Sequence, residues 1–369
     1  MNARNAHRDT PGPIPAPLKG RGAVTNGDGR YERFSHVKED DSWGILDEEL
    51  PPVKTTVLYD ATRSIIARNS SPDLSFDRSI NPYRGCEHGC VYCFARPTHA
   101  YLGFSPGLDF ETRILLKPKA AELLEAELAD PKYVPRVIAL GTNTDPYQPL
   151  EKMHRITRSV LEVLARHNHP VAIVTKSHLV TRDIDILAPM AAKGLAKVAL
   201  SITTLDPKLA RMMEPRAASP AKRLDAIRAL TRAGIPAAVM TAPLIPALND
   251  MEMEKILAAA AEAGAQSAGY VVLRLPLEIK DLFREWLEAH VPDKAAHVMA
   301  LVRGMRGGKD YDSEWGLRQR GTGPYAQLIG QRFRVATRKL GMNAQRFPMD
   351  VTQFFRPGRT GQPQQLRLF

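Results

Sequence analysis

The chain has 369 residues, 44% of them hydrophobic, and a formal net charge of +11. That length suffices for one large domain or two smaller ones. No run approaches the ~18 apolar residues of a membrane span. The start, Met1-Asn2-Ala3-Arg4-Asn5, lacks the apolar centre of a secretory signal. A cytoplasmic, membrane-free protein is the expectation, in a compartment where thiols stay reduced. The charge is uneven. Residues 1–50 carry seven Lys/Arg against nine Asp/Glu, and residues 331–369 carry eight against one, Asp350. A basic C-terminal end is the electrostatic footprint of a nucleic-acid partner; a merely basic soluble surface is the alternative.

Residues 1–55 read as an irregular, solvated arm, punctuated by Pro11, Pro13, Pro15, Pro17 and by Gly20, Gly22, Gly27 and Gly29. The Lys19-Gly20-Arg21-Gly22 run could touch a phosphate. Residues 56–80 lead into a first strand near 77–81. All three cysteines follow in Asn81-Pro82-Tyr83-Arg84-Gly85-Cys86-Glu87-His88-Gly89-Cys90-Val91-Tyr92-Cys93-Phe94-Ala95-Arg96. Their spacing is C-x3-C-x2-C. Thiolates this close cannot span a fold, but they can close on one metal centre. Iron–sulfur clusters usually take four cysteines, so three leave one iron open to another ligand. A zinc site completed by His88 or His99 is the alternative.

From Lys117 the apolar period becomes helical through Ala120, Leu123, Leu124 and Leu128. A regular alternation follows. Strands are expected at 136–140, 171–175, 196–202, 235–241 and 268–273. Helices are expected at 150–167, from an N-cap at Thr181 to about 193, from Ser219-Pro220 to Gly234, and at 249–263. With the strand before the cysteines this makes six βα units and a parallel sheet. A partial (β/α)6 barrel spanning 56–275 fits, with a doubly wound open sheet as the alternative. In either, ligands gather at the C-terminal strand ends. Those ends are polar: Gly141-Thr142-Asn143-Thr144-Asp145-Pro146-Tyr147-Gln148-Pro149-Leu150-Glu151, Thr175-Lys176-Ser177, Ser201-Ile202-Thr203-Thr204, and Arg274 after the sixth strand. The fifth ends in the rigid Pro243-Leu244-Ile245-Pro246. A helical extension covers 276–345, with helices near 277–290, 292–304 and 324–340. Within it Tyr311, Trp315, Arg318, Arg320 and Tyr325 mix aromatic and basic groups, as suits single-strand contact or core packing. A basic flexible tail, 346–369, completes the chain.

The cysteine stretch resembles the C-x3-C-x-aromatic-C signature of the radical SAM superfamily. The resemblance implies a [4Fe-4S] cluster on Cys86, Cys90 and Cys93 whose open iron is chelated by S-adenosylmethionine. Reductive cleavage then gives a 5′-deoxyadenosyl radical that abstracts hydrogen from substrate. It further implies a cofactor site from Tyr92, Thr142, Asn143, Asp145, Lys176, Ser201, Thr203 and Arg274. Lys176 would face the carboxylate, and the Pro243–Pro246 stretch would flank adenine. The Gly-Gly-Glu that the family carries after its second strand is absent. With the Thr-Asp-Pro-Tyr-Gln-Pro and Thr-Lys-Ser ends, residues 75–345 resemble the spore photoproduct lyase-like group, which implies DNA lesion repair with SAM regenerated. That group uses a further cysteine as hydrogen donor. This chain has none, and Tyr147, Tyr270 or Tyr325 could substitute. A flavodoxin or ferredoxin is the electron donor the family implies. The ending Gln365-Leu366-Arg367-Leu368-Phe369 resembles the peptide by which bacterial repair proteins bind the sliding clamp. Modification of RNA or peptide, or a non-catalytic iron–sulfur protein recruited to DNA, are the alternative functions.

Overall fold

Ten strands form in the computed structural model, which describes residues 16–32, 54–345 and 347–356. They are β1 Thr56–Tyr59, β2 Ile66–Arg68, β3 Arg78–Ile80, β4 Tyr83–Arg84, β5 Arg113–Leu116, β6 Ile138–Leu140, β7 Val171–Thr175, β8 Ala196–Ser201, β9 Ala237–Leu244 and β10 Ser267–Val272. The main sheet has the order β10-β9-β8-β7-β6-β3-β2. Six strands run parallel through five neighbouring pairs, and β2 pairs antiparallel with β3 at the edge. The order is sequential, as in a curling barrel wall. A doubly wound sheet would reverse at a switch point, so the partial barrel is the architecture.

The physical cause is burial of the face that meets the helices. Ile80, Ile138, Leu140, Val171, Ile173, Val198, Leu200 and Val239 are all essentially inaccessible. They pack with Leu124, Leu128, Val160, Leu164, Ile227, Leu230, Ile256 and Leu257 of the covering helices. Each such side chain contributes about 1.5–3 kcal/mol.

Several local expectations shift. The helix over 150–167 breaks at Arg155, which takes a left-handed conformation between Glu151–His154 and Ile156–Arg166. The Glu151 carboxylate explains the break, because it accepts from Thr157 N and Arg158 N and so caps the second piece. Thr181 is not an N-cap. Ser177 caps a 3-10 turn, His178–Asp183, that precedes the helix Ile184–Ala192. Ser219 does cap Pro220–Arg232. A second sheet, β1-β5-β4, was not foreseen; it flanks the cysteine loop.

The C-terminal helices are Ile279–His290, Pro292–Gly304 and Gly323–Lys339. Phe283, Trp286, Leu287, Val298 and Val302 share a core with Val91 and Tyr92 of the cysteine loop. The open side of the sheet is bridged by the segment before the last helix. Val272 of β10 donates to Gln319 O at 2.8 Å. Arg318 grips Asp73 through both carboxylate oxygens (2.7 and 2.5 Å), and Gln319 reaches Asp73 O at 3.2 Å. The last strand is thereby tied to the β2–β3 connection.

Two segments expected to be solvated are packed. In the arm, Gly22 N and Ala23 N donate to the Glu111 carboxylate at 3.0 and 2.8 Å, and Arg21 reaches Glu111 O rather than offering itself to a phosphate. In the tail, Phe354 lies against Tyr133 and His169, and Phe355 against His167. Residues 365–369, with the clamp-like peptide, lie outside the described residues.

Gly22 approaches the cysteine loop so closely that an added Cβ would stand 1.7 Å from Gly89 O. Gly22→Ala is therefore expected to lift the arm and to destabilise by about 1–3 kcal/mol. Limited proteolysis and a thermal melt measure this. Unchanged protection of residues 22–32 would show that the arm does not depend on this contact.

Candidate functional site

The cysteine loop has almost no regular structure, so side chains hold it. Arg96 is fully buried. Its guanidinium donates to Cys90 O (2.9 Å), Gly89 O (3.2 Å), Pro106 O (3.1 Å), Gly107 O (2.8 Å) and the Glu111 carboxylate (2.5 Å). Gly89 turns at φ +67, a conformation that only glycine adopts without strain. Gln148 clasps the loop from the other side, accepting from Glu87 N and donating to Gly85 O.

Cys86, Cys90 and Cys93 line one wall of a cavity of about 310 Å3 at the C-terminal ends of the parallel strands. Its other walls include Thr142, Asn143 and Asp145 after β6, Lys176 after β7, Ser201 of β8, Pro243 of β9 and Arg274 after β10. Leu74 and Phe76 from the β2–β3 connection and Gln319 from the bridging segment complete it. Phe94 is 42% exposed, so the cavity meets solvent beside it.

Hydrogen bonding sorts these residues. Among the described residues, the side chains of Thr142, Asn143, Lys176, Ser201 and Arg274 have no hydrogen-bond partner, which leaves them for a ligand. Asp145 is spoken for: Oδ1 accepts from Thr175 Oγ1 (2.7 Å) and Tyr147 N (2.9 Å), Oδ2 from Lys176 N (2.8 Å), and His88 Nδ1 stands 3.4 Å away. Burial raises its pKa, but these contacts outweigh burial and hold it down at about 2. Thr144 donates to Tyr83 O. Most of the polar run 141–151 thus braces the cysteine loop, and only Thr142 and Asn143 face the cavity unengaged.

Behind the cavity lies a buried ion pair, Glu214–Arg223. Glu214 also accepts from the hydroxyls of Tyr92 and Thr203. Thr203 is therefore a bracing group, not a wall of the cavity. Arg223 donates to Ser201 O at 2.9 Å. Lys176 Nζ stands 5.7 Å from the Tyr92 ring centroid. Burial draws its pKa down, yet the facing Cys90 and Glu214 outweigh that and raise it, so it stays a cation. Burial pushes all three thiols up, Cys90 to about 12. The Lys176 charge opposes this at Cys90.

The three candidate tyrosines are elsewhere. Tyr147 is buried beneath Arg182. Tyr270 packs on Phe333, with Arg320 over its ring. Tyr325 donates to Asp250 at 2.8 Å. None of them lines the cavity, because each side chain points toward the covering helices or a neighbouring loop. Glu214, Arg223, Phe94 and Gln319 were missed. A lone buried acid shows its partner only in three dimensions.

The donor set fits an iron–sulfur cluster. Three thiols share the wall, with the Ala95 and Arg96 N–H groups facing Cys93. The zinc alternative lacks a fourth ligand: His99 bonds Arg113 O at 2.9 Å, and His88 faces Asp145. No three His, Cys, Asp or Glu side chains among the described residues gather tightly enough for a single ion. A four-iron cluster spreads its thiolates over a larger body. No helix among the described residues is long and apolar enough to cross a membrane.

A strand-end cavity with three such thiols defines a cofactor-dependent α/β enzyme. The model of the radical SAM superfamily matches residues 80–260, and the chain belongs to that superfamily. It is a radical SAM enzyme, and its cofactors are a [4Fe-4S] cluster and S-adenosylmethionine. An uncharacterized protein of Mycobacterium tuberculosis is 38% identical over 232 residues, covering 62% of this chain and 68% of the relative. One from Methanocaldococcus jannaschii is 30% identical over 173 residues, covering 47% of this chain and 62% of the relative. A mutant spore photoproduct lyase with bound AdoMet and dinucleoside spore photoproduct shares the fold at a TM-score of 0.51. It is 14% identical, over 78% of this chain and 80% of that one.

Removing one partner of a buried ion pair costs about 3–5 kcal/mol. Glu214→Ala is expected to lose that much, measured by urea denaturation, since it strands Arg223 and frees Tyr92. A loss under about 1 kcal/mol would mean that Arg223 finds another acceptor.

Proposed function

We propose that this radical SAM enzyme acts on nucleic acid, DNA favoured, in a reaction of the lesion-repair type. One observation carries the cofactor half of the reading. The cavity sets three thiols against a cation and three polar side chains that the protein itself leaves unengaged. Cys86, Cys90 and Cys93 would hold the cluster. Lys176 takes the cofactor carboxylate, a charge-assisted contact strengthened by burial. Thr142 and Asn143 receive the amino group, and Ser201 the ribose. Pro243 offers an apolar face to adenine. When bound, the pair supplies one-electron cleavage of the sulfonium, the start of hydrogen abstraction from substrate. Tyr92 does not touch the reaction through its hydroxyl, which is committed to Glu214; it shields the Cys90 side of the cavity.

Three features support nucleic acid as the substrate. The chain carries +11. The cavity opens beside an exposed aromatic ring, Phe94. The fold is shared with spore photoproduct lyase bound to a dinucleoside photoproduct. With no fourth cysteine in the chain, the reading includes hydrogen abstraction from substrate and no hydrogen return by a further cysteine. A flavodoxin or ferredoxin supplies the electron, and residues 365–369 dock the sliding clamp.

The test uses anaerobically reconstituted protein with SAM and a strong reductant. Wild type is expected to form 5′-deoxyadenosine and Cys90→Ala none. Lys176→Met is expected to weaken SAM binding about ten-fold or more, the worth of one charged hydrogen bond. Bound zinc and no deoxyadenosine would overturn the cofactor assignment.

A further inference from the structure

Arg274 stands apart from the other arginines of the interior. Nearly every other arginine in the interior has a carboxylate or carbonyl acceptor. Arg96 has Glu111, Arg223 has Glu214, and Arg318 has Asp73. The Arg274 guanidinium has neither among the described residues, and its Nε is buried without a partner. It lies over the Phe94 ring, 4.9 Å from the centroid, where the cavity meets solvent. A second guanidinium sharpens the site. Arg306 is 2% exposed and donates to Leu273 O and Leu317 O, both at 2.8 Å, while its Nε is also unpartnered. Burial and then the charge of Arg274 lower the Arg306 pKa, against smaller opposing effects of Tyr311 and Asp312, so the two guanidinium groups lie close enough to repel.

Lys176 and Arg274 therefore divide the cavity. Lys176 faces Cys90 on the cluster side, and Arg274 sits at the opening beside Phe94. The two segments that lead away from this opening carry the same chemistry. Segment 94–101 and segment 274–278 meet at Arg30, which bonds Glu278 at 2.5 Å and Pro97 O at 3.5 Å. Arg30 also lies 5.4 and 5.5 Å from the rings of Tyr31 and Tyr101. Those two rings stack at 5.3 Å and are 55% and 67% exposed. Exposed aromatic faces alternating with guanidinium groups are the chemistry of a single-stranded nucleic acid, in which bases stack and phosphates pair. An acidic peptide would use the cations but not the stacked rings.

We infer that Arg274 is the phosphate anchor of the substrate strand, with Phe94 as the ring on which the adjoining base stacks and the Tyr31–Tyr101 pair as its continuation along the rim. The inference deepens the nucleic-acid reading and rests on it. It moves Arg274 from the cofactor, where the sequence puts it, to the substrate. An arginine suits this place because its planar fork can grip two phosphate oxygens while its face stays on the ring.

The test is binding of a fluorescein-labelled oligothymidylate to cluster-loaded, full-length protein without reductant, by anisotropy across about 50 to 200 mM salt. Arg274→Gln is expected to lower affinity about ten-fold and to lower the slope of log K against log salt by about 0.7, the share of one phosphate on a single strand. Arg274→Lys keeps most of the slope and recovers part of the affinity. Phe94→Ala weakens binding about ten-fold with the slope unchanged, since stacking releases no counterion. Circular dichroism and cluster absorbance confirm that each variant is folded and loaded. An unchanged slope in Arg274→Gln overturns the anchor and leaves the nucleic-acid reading standing. A loss that falls on SAM affinity instead returns Arg274 to the cofactor. Binding of a fluorescein-labelled acidic peptide to wild type, with no oligonucleotide binding, overturns both. None of these readings depends on deoxyadenosine formation, so they stand apart from the cofactor test.

Discussion

The buried guanidinium of Arg96 is the constraint on which the rest of the site depends. The cysteine loop needs three sulfurs on one wall, and a loop with so few backbone ladder bonds has no intrinsic reason to present them. Arg96 supplies that reason by collecting four loop carbonyls and the Glu111 carboxylate around one planar cation. Five donors in a rigid fork allow this, and a lysine could not replace them. Glu111 then passes the constraint outward, because its carboxylate also accepts Gly22 N and Ala23 N. The N-terminal segment is thereby part of the cofactor loop's support.

A second buried pair does the same work below the cavity. Glu214 gathers Tyr92, Thr203 and Arg223, and Arg223 continues to the carbonyl of Ser201. A buried pair of this kind contributes little net stability over an apolar one, but it fixes geometry strongly because neither member can be left alone. Its effect is to orient Tyr92 and the end of β8 toward one cavity. The unengaged groups, Thr142, Asn143, Lys176, Ser201 and Arg274, are the complement of this bracing. What the protein does not use internally is what it offers to ligands.

The partial barrel also explains why the C-terminal third belongs to the site. Six parallel strands leave one side open. Arg318 and Gln319 close it by gripping Asp73 while pairing with β10. Helices after the barrel share a core with Val91 and Tyr92. Cofactor loop, bridge and extension form one packed unit, so a change in the extension is felt at the cysteines.

The sequence by itself determined the repeated βα pattern, the place of the cysteine loop after the first parallel strand, and the strand ends that would line the cavity. These are local properties: apolar period, caps such as Ser219, and cysteine spacing all lie within a few residues of one another. All six parallel strands of the barrel appear within a few residues of where the sequence puts them, and Lys176 follows β7 as its strand requires. Only the tertiary structure decided which polar residues brace and which remain open. Asp145 and Asn143 are two residues apart and look alike in sequence, yet one is saturated by Thr175, Tyr147 and Lys176 while the other is not. The same holds for the tyrosines, whose hydroxyls are claimed or buried by residues distant in the chain, as Tyr325 is by Asp250. Hydrogen-bond saturation depends on partners tens to hundreds of residues away. No window of sequence contains that information, and so it falls to the fold.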